Sequence, residues 1–292
     1  MILPSPLADA VSAAIGLPVK YSDPVYGGDI NQVVRATLAD GRELLIKWNR
    51  GSFPGMFTAE QRGLALLASA DALRVPAVLA HRESTADCPA FIVLEWLGRG
   101  SSTTAVAEAL GRGLAAQHRT TAGTFGLDHD NFCGASIQIN TPVRDWITFF
   151  GKRRLGYQVE LAGSQGRLPG RRGNQLEKLI AQLADWLPSQ PPASLLHGDL
   201  WGGNWLVTAA GEPALIDPAV YYGHREADLA FTELFGGFPA AFYQSYQSAW
   251  PLEPGYEERK PLYNLYHLLN HLNLFGESYG GGVDAILQRY VG

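Results

Sequence analysis

The segment Leu196-His197-Gly198-Asp199-Leu200-Trp201-Gly202-Gly203-Asn204, followed by Leu215-Ile216-Asp217, decides how this chain is read. Asp199 and Asn204 stand five residues apart, and Asp217 follows Asn204 by thirteen, beyond two apolar stretches that meet at a turn containing Gly211. A strand pair of that length folds back on itself and brings an amide oxygen and a carboxylate to a common cation. Asp199 stays free to accept a proton from a hydroxyl. A lone His-Gly-Asp triplet is more often a polar turn; Asn204 and Asp217 in register with it weigh heavily against that reading.

The five-residue spacing matches the Asp…Asn pair of a kinase catalytic loop. Phosphoryl transfer consists mostly of positioning and charge neutralisation, so it needs hard oxygen ligands for magnesium and a separate carboxylate at the attacking hydroxyl. Upstream, Lys47 closes the apolar run Leu44-Leu45-Ile46, where a phosphate-binding lysine sits in such folds. Glu60 lies thirteen residues later in a predicted helix over 58–70, on the same side as Leu64 and Leu67. A carboxylate turned toward a core needs a cationic partner, and Lys47 is the natural one. Taken alone, the two residues equally suit a solvated strand-end lysine and a glutamate favoured by the helix dipole. Gly27 and Gly28 would let the backbone close over phosphates, although no G-x-G-x-x-G is present and the pair also suits an ordinary hairpin turn. Leu94-Glu95-Trp96-Leu97 joins two regions of different texture, and backbone groups at Glu95 and Leu97 are candidates for an adenine edge.

Those two regions set the architecture. Before residue 98 the pattern predicts a short helix over 6–15, strands over 33–38 and 43–48 about an Asp40-Gly41 turn, the helix over 58–70, and strands over 77–81 and 90–96. Beyond Gly98 it predicts helices over 105–118, 143–161, 174–187, 225–235, 239–250, 256–275 and 283–290, interrupted by a β island over 195–217. The Gly- and Arg-rich stretch 163–173 reads as an exposed connection. The class is α+β, a protein-kinase-like two-lobed fold. Its small β-rich N-terminal lobe spans 1–97 and its larger, mainly helical C-terminal lobe spans 98–292.

Composition narrows the partners. The 292 residues are 46% apolar and 17% charged, with a formal net charge of -5, which excludes nucleic-acid binding through a generally basic surface. No stretch is long and apolar enough to span a bilayer, and residues 1–18 lack the basic and apolar regions of a secretory leader, so a soluble cytoplasmic protein is expected. Cys88 and Cys133 have no metal-ligand spacing and read as buried thiols in a reducing compartment. His118, His129, His267 and His271 read as packing and capping residues; His267 and His271 lie one helical turn apart without an apparent third ligand.

The motif Leu196–Asn204 resembles the signature of the fructosamine kinase (ketosamine 3-kinase) family. So does Ile216-Asp217-Pro218-Ala219-Val220-Tyr221-Tyr222-Gly223-His224-Arg225-Glu226-Ala227-Asp228-Leu229-Ala230. Phe125-Gly126, Asn131, Cys133-Gly134, Gln138, Asn140, Trp146, Phe149 and the stretch Tyr263–His271 are similar to it as well, so the resemblance covers nearly the whole chain. It implies transfer of the ATP γ-phosphate to the 3-hydroxyl of a sugar attached to an amine, free or on a protein lysine, in deglycation. It further implies Asp199 as base, Asn204 and Asp217 on Mg2+, Lys47 on the phosphates with Glu60 behind it, and Trp201 beside the sugar. His197 and Asp228 would brace the loop. Asp217-Pro218-Ala219 stands where protein kinases carry Asp-Phe-Gly, and the proline argues against their activation switch. Two alternatives stay open: a phosphotransferase for another small hydroxyl compound, such as an aminoglycoside or choline, and a catalytically dead nucleotide-binding module.

Overall fold

Leu7 and Val11, one helical turn apart, are the buried residues of α1 (Ser5–Ile15) in a computed structural model that describes residues 3–25, 30–51 and 53–292. The chain continues through β1 (Val19–Pro24), β2 (Gln32–Leu38), β3 (Glu43–Asn49), α2 (Met56–Ser69), β4 (Val78–Arg82) and β5 (Ala90–Glu95). The strands form one antiparallel sheet in the order β1-β2-β3-β5-β4. Strand side chains alternate between faces. Val34, Ala36, Leu38, Leu44, Ile46, Trp48, Phe91 and Val93 therefore pack with Leu7 and Val11 of α1 on one side. The opposite parity, Ile92 and Leu94, packs with Phe57, Leu64 and Leu67 of α2. Lys47 lies between Ile46 and Trp48, pairs in register with Ile92, and so faces the α2 side.

The rest of the chain begins with α3 (Thr104–His118), capped by the Thr103 side chain, which accepts from the Val106 amide. It runs through β6 (Thr121–Ala122), β7 (Asn131–Cys133), β8 (Ser136–Gln138), α4 (Trp146–Phe149), α5 (Tyr157–Ser164) and α6 (Arg172–Ala181). Strands β9 (Ala193–Leu196), β10 (Trp205–Val207), β11 (Pro213–Leu215) and β12 (Tyr221–Gly223) follow, then α7 (Glu226–Leu234), α8 (Ala240–Ala249), α9 (Tyr256–Phe275) and α10 (Gly280–Val291). An aromatic-rich core built on Trp146, Phe149, Phe150 and Tyr263 holds these helices together. A separate cluster joins α2 and β5 to α3, β9, β11 and α8 through Leu67, Leu94, Leu114, Leu195, Leu215 and Phe242. That shared core sets the sheet against the β10–β11 hairpin and hence fixes the cleft between them. No described helix is long and apolar enough to cross a membrane.

The predicted helix over 143–161 is not one regular α-helix. It starts at Trp146 and passes through a π-helical stretch, Phe150–Gly156, before α5. Arg154, fully buried, uses that wider turn to donate to the Ile139 carbonyl and the Asn140 side chain, both at 2.7 Å. The helix predicted over 174–187 ends at Ala181 and gives way to a single 3₁₀ turn, Leu183–Asp185. The stretch 163–173 is exposed over 163–166 and 169–171, half-buried at Arg167 and Leu168 in its centre, and buried at Arg172, which opens α6. The pattern also missed β1 and the two- and three-residue strands β6, β7, β8 and β12, which are too short to show a period.

Candidate active site

The His197–Asp199 turn is built by backbone demand. Gly198 has φ +82°, and a Cβ there would lie 1.9 Å from the Ala219 carbonyl oxygen, so glycine is required on two counts. Asp228, from the first turn of α7, accepts from the His197 amide at 2.7 Å and the Gly198 amide at 2.9 Å. The His118 ring lies 3.2 Å from the same carboxylate. His197 donates from Nε2 to the Ile216 carbonyl at 2.9 Å, and its Nδ1 accepts from the Asp199 amide at 3.3 Å. That pattern requires the neutral ring, and burial lowers the His197 pKa accordingly. His197 and Asp228 thus hold the loop's backbone and do not face the cleft.

The β10–β11 hairpin returns the chain so that Asn204 meets both acidic residues. Its amide nitrogen donates to the Asp199 carbonyl at 2.7 Å and to Asp199 Oδ2 at 3.1 Å, leaving the amide oxygen uncommitted. Asp217 has φ +55°, a left-handed conformation that a non-glycine residue rarely adopts, and such strain concentrates at functional sites. Lys47 reaches across from β3 to bond the Asp217 carboxylate, and it bonds Glu60 of α2 at 2.6 Å. Burial works against the Lys47 ammonium, but the Asp217 and Glu60 charges overturn that and hold its pKa above the ordinary lysine value. Burial pushes the Glu60 carboxyl up against the pull of Lys47. Burial, reinforced by the Asp217 charge, lifts the Asp199 pKa to about 7.

These groups line a cavity of about 780 Å³ that also takes in Trp201, Asn131, Cys133 and the aromatic residues Phe235, His271, Phe275 and Tyr279. Glu60, Asp199 and Asp217 outnumber Lys47 there. An all-oxygen donor pair, the Asn204 amide and the half-exposed Asp217 carboxylate, fits a hard divalent cation. The Trp201 indole folds over Gly203, where a Cβ would come within 2.3 Å of the ring. Glu95 and Leu97 are not part of this lining. The Glu95 side chain pairs with Arg74, and the Leu97 carbonyl accepts from the Ala209 amide at 3.0 Å. Gly27 and Gly28 lie outside the described residues.

Sequence reasoning missed the floor and far wall of the cavity. Asn131 donates to the Val220 carbonyl at 2.8 Å, and Gln138 donates to the Ala219 carbonyl at 3.0 Å and to Asn131 at 2.8 Å. This amide network fixes the segment just after Asp217. On α9, the buried Asn264, His267, Asn270 and Asn273 recur every three residues. At about 100° per residue that spacing winds around the helix, so the available signal was the number of polar residues among apolar ones. Of these polar residues, Asn270 lines the cavity. His267 was read as a packing residue, and it does stack on Phe231 with centroids 3.5 Å apart, yet its Nδ1 also lies 4.0 Å from Asp199 Oδ1.

Residues 7–292 match the family model for fructosamine kinase. The chain is 43% identical to a probable ketoamine kinase of Synechocystis, covering 97% of this chain and 95% of that protein. It is 38% identical to a chloroplastic protein-ribulosamine 3-kinase of Arabidopsis thaliana, covering 91% and 81%. A crystal structure from Thermobifida fusca, provisionally named a fructosamine-3-kinase, superposes with TM-score 0.85 at 31% identity over 96% of each chain. A choline kinase from Streptococcus pneumoniae shares the fold, with TM-score 0.64 at 16% identity over 97% of each chain.

Proposed function

The chain belongs to the fructosamine kinase family, and from that premise we propose how its cleft phosphorylates the 3-hydroxyl of a ketosamine. The acceptor is a ribulosamine, erythrulosamine or fructosamine, free or on a protein lysine, and the reaction serves protein deglycation. The supporting observation is convergence: Lys47, the Asp199–Asn204 loop and Asp217 come from three separate stretches of chain to one cavity. Residues 1–97 act as the ATP-binding lobe and residues 98–292 as the lobe carrying the base and the acceptor. Two unpaired thiols, Cys88 and Cys133, suit a reducing cytoplasm.

Asp199 takes the proton of the attacking hydroxyl. Asn204 holds the Asp199 carboxylate by one oxygen, so the other is presented in a fixed direction. Lys47 has three N–H donors, of which Glu60 and Asp217 take two, leaving one for a phosphate oxygen. Asn204 through its amide oxygen and Asp217 through its carboxylate would hold Mg2+, which when bound neutralises phosphate charge. Trp201 offers an apolar face to the C–H surface of the sugar, with Phe235 lining the same cavity.

The test is product formation from ribulose-lysine, erythrulose-lysine, fructose-lysine and kanamycin by the wild-type enzyme and its Asp199→Asn variant. Ketosamines are expected to be phosphorylated and kanamycin not. Asp199→Asn should lose on the order of a hundredfold in turnover with ATP binding retained. Transfer to kanamycin alone would replace the substrate class, and an Asp199→Asn variant of normal turnover would remove the base.

A further inference from the structure

Cys133 comes from the end of β7, Asp199 from the loop after β9 and His267 from the middle of α9, yet their side chains meet at the cavity wall, Cys133 and Asp199 lining it and His267 behind them. The Cys133 sulfur lies 3.7 Å from Asp199 Oδ1, His267 Nδ1 lies 4.0 Å from the same oxygen, and all three ligand atoms fall within 4.8 Å of one another. Three ligands on a tetrahedral zinc ion sit roughly 3.4–3.6 Å apart, a spacing that follows from Zn–S, Zn–N and Zn–O bond lengths. Small side-chain movements close the difference.

A second observation points the same way. His267 is 5% exposed, and its Nδ1 is fully buried without a hydrogen-bond partner. A buried polar atom left unpaired is costly, and a native structure retains it where something else completes it. The parallel stack on Phe231, with an interplanar angle of 3°, fixes the plane of the ring. Burial keeps the imidazole neutral, the form that ligates metals. The Asn270 amide donates to the Cys133 sulfur at 3.4 Å, while burial and the Asp199 charge push the Cys133 thiol well above its ordinary pKa, so an arriving metal has to displace the thiol proton. Cys133 and Asp199 line the cavity, which leaves a path for an ion and a fourth coordination position facing the acceptor.

We propose that Cys133, Asp199 and His267 form a zinc-binding site, distinct from the magnesium ligands Asn204 and Asp217, whose occupation inhibits the enzyme. The mixed sulfur, nitrogen and oxygen donors suit zinc; magnesium, which requires oxygen, does not compete for the thiolate. Binding replaces the Cys133 thiol proton with the metal and releases that proton to the buffer, with no change of oxidation state. Zinc then occupies the Asp199 oxygen. The inhibition rests on the reading of Asp199 as base, whereas the metal binding does not.

Cobalt serves as the spectroscopic probe for the reduced, metal-free full-length chain. One cobalt per chain with a thiolate-to-metal charge-transfer band is expected. Cys133→Ser abolishes the band, and Cys88→Ser leaves it intact. In the Cys88→Ser background, where Cys133 is the sole thiol, His267→Asn weakens zinc affinity at least about tenfold, measured against a chromophoric chelator. No band in the wild type, a band lost with Cys88 instead, or unchanged affinity without His267 each overturns the site. In assays at saturating magnesium, zinc suppresses turnover and a chelator restores it. A Cys133-dependent band with turnover untouched by zinc upholds the metal site and overturns Asp199 as the base.

Discussion

Lys47 and Arg172 each stand between two carboxylates, as Arg35 and Lys260 also do, and the first two use the arrangement differently. In the cleft, Lys47 stands between Glu60 and Asp217, with side-chain exposures of 6%, 11% and 46%. Near the C-terminus, Arg172 stands between Glu277 and Asp284, with exposures of 4%, 61% and 54%. The Arg172 guanidinium engages each partner through two hydrogen bonds of 2.7 to 3.1 Å, tying α6 to α10 and to the 3₁₀ turn Glu277–Tyr279. Such a planar fork fixes direction and has no donor to spare for exchange. The Lys47 ammonium is a compact charge on a flexible stem, so it can share itself with an arriving phosphate. On the proposed function the lysine trio is machinery, whereas the arginine trio is a fastener.

The sharpest separation comes from Asp217→Ala. Turnover should fall on the order of a thousandfold, because the remaining Asn204 is a neutral and weaker magnesium ligand. A rate titrated against magnesium that kept its normal dependence would move the metal elsewhere. Lys47→Met should cost about a hundredfold in turnover and also lower the melting temperature, since Glu60 is left buried without a cation. Adding Glu60→Gln should restore the melting temperature and not the turnover. Recovery of both would make Lys47 a fastener too.

Arg172→Met should show the converse: a stability loss of about 1–3 kcal/mol with kcat and KM unchanged. A drop in kcat without a drop in melting temperature would break the contrast. The smallest effect is its pH dependence. Hydrogen bonds from Arg172 lower the pKa of both Glu277 and Asp284 below their ordinary values of 4.5 and 3.8. Carboxyls depressed in the folded state contribute stability above their unfolded values and lose it as pH falls through the folded ones. The difference in melting temperature between wild type and Arg172→Met should hold at neutral pH and shrink below pH 4.5. A difference that grew on acidification would contradict the assignment.

Legibility in the sequence followed contact range. The helical spacing put Glu60 beside Leu64 and made Lys47 its natural cation, and their ion pair at 2.6 Å joins residues only thirteen apart. The Arg172 clamp reaches more than a hundred residues to Glu277 and Asp284, and nothing local marks those positions as its partners. The π-helical turn that buries Arg154 was hidden for a related reason. One extra residue in a turn changes which side chain faces inward without altering composition.

By itself the sequence determined most of the longer elements, the convergence of Asp199, Asn204 and Asp217, and the inward turn of Glu60. Each of these depends on strand parity, helix period or a single hairpin, and short-range backbone geometry fixes all three. Only the tertiary structure decided that Phe235, His271, Phe275 and Tyr279 wall the cavity, and that Cys133 and His267 flank Asp199. Their positions depend on how α7, α9 and the β7–β8 hairpin pack together. Packing is a property of the whole core, so no local pattern records it.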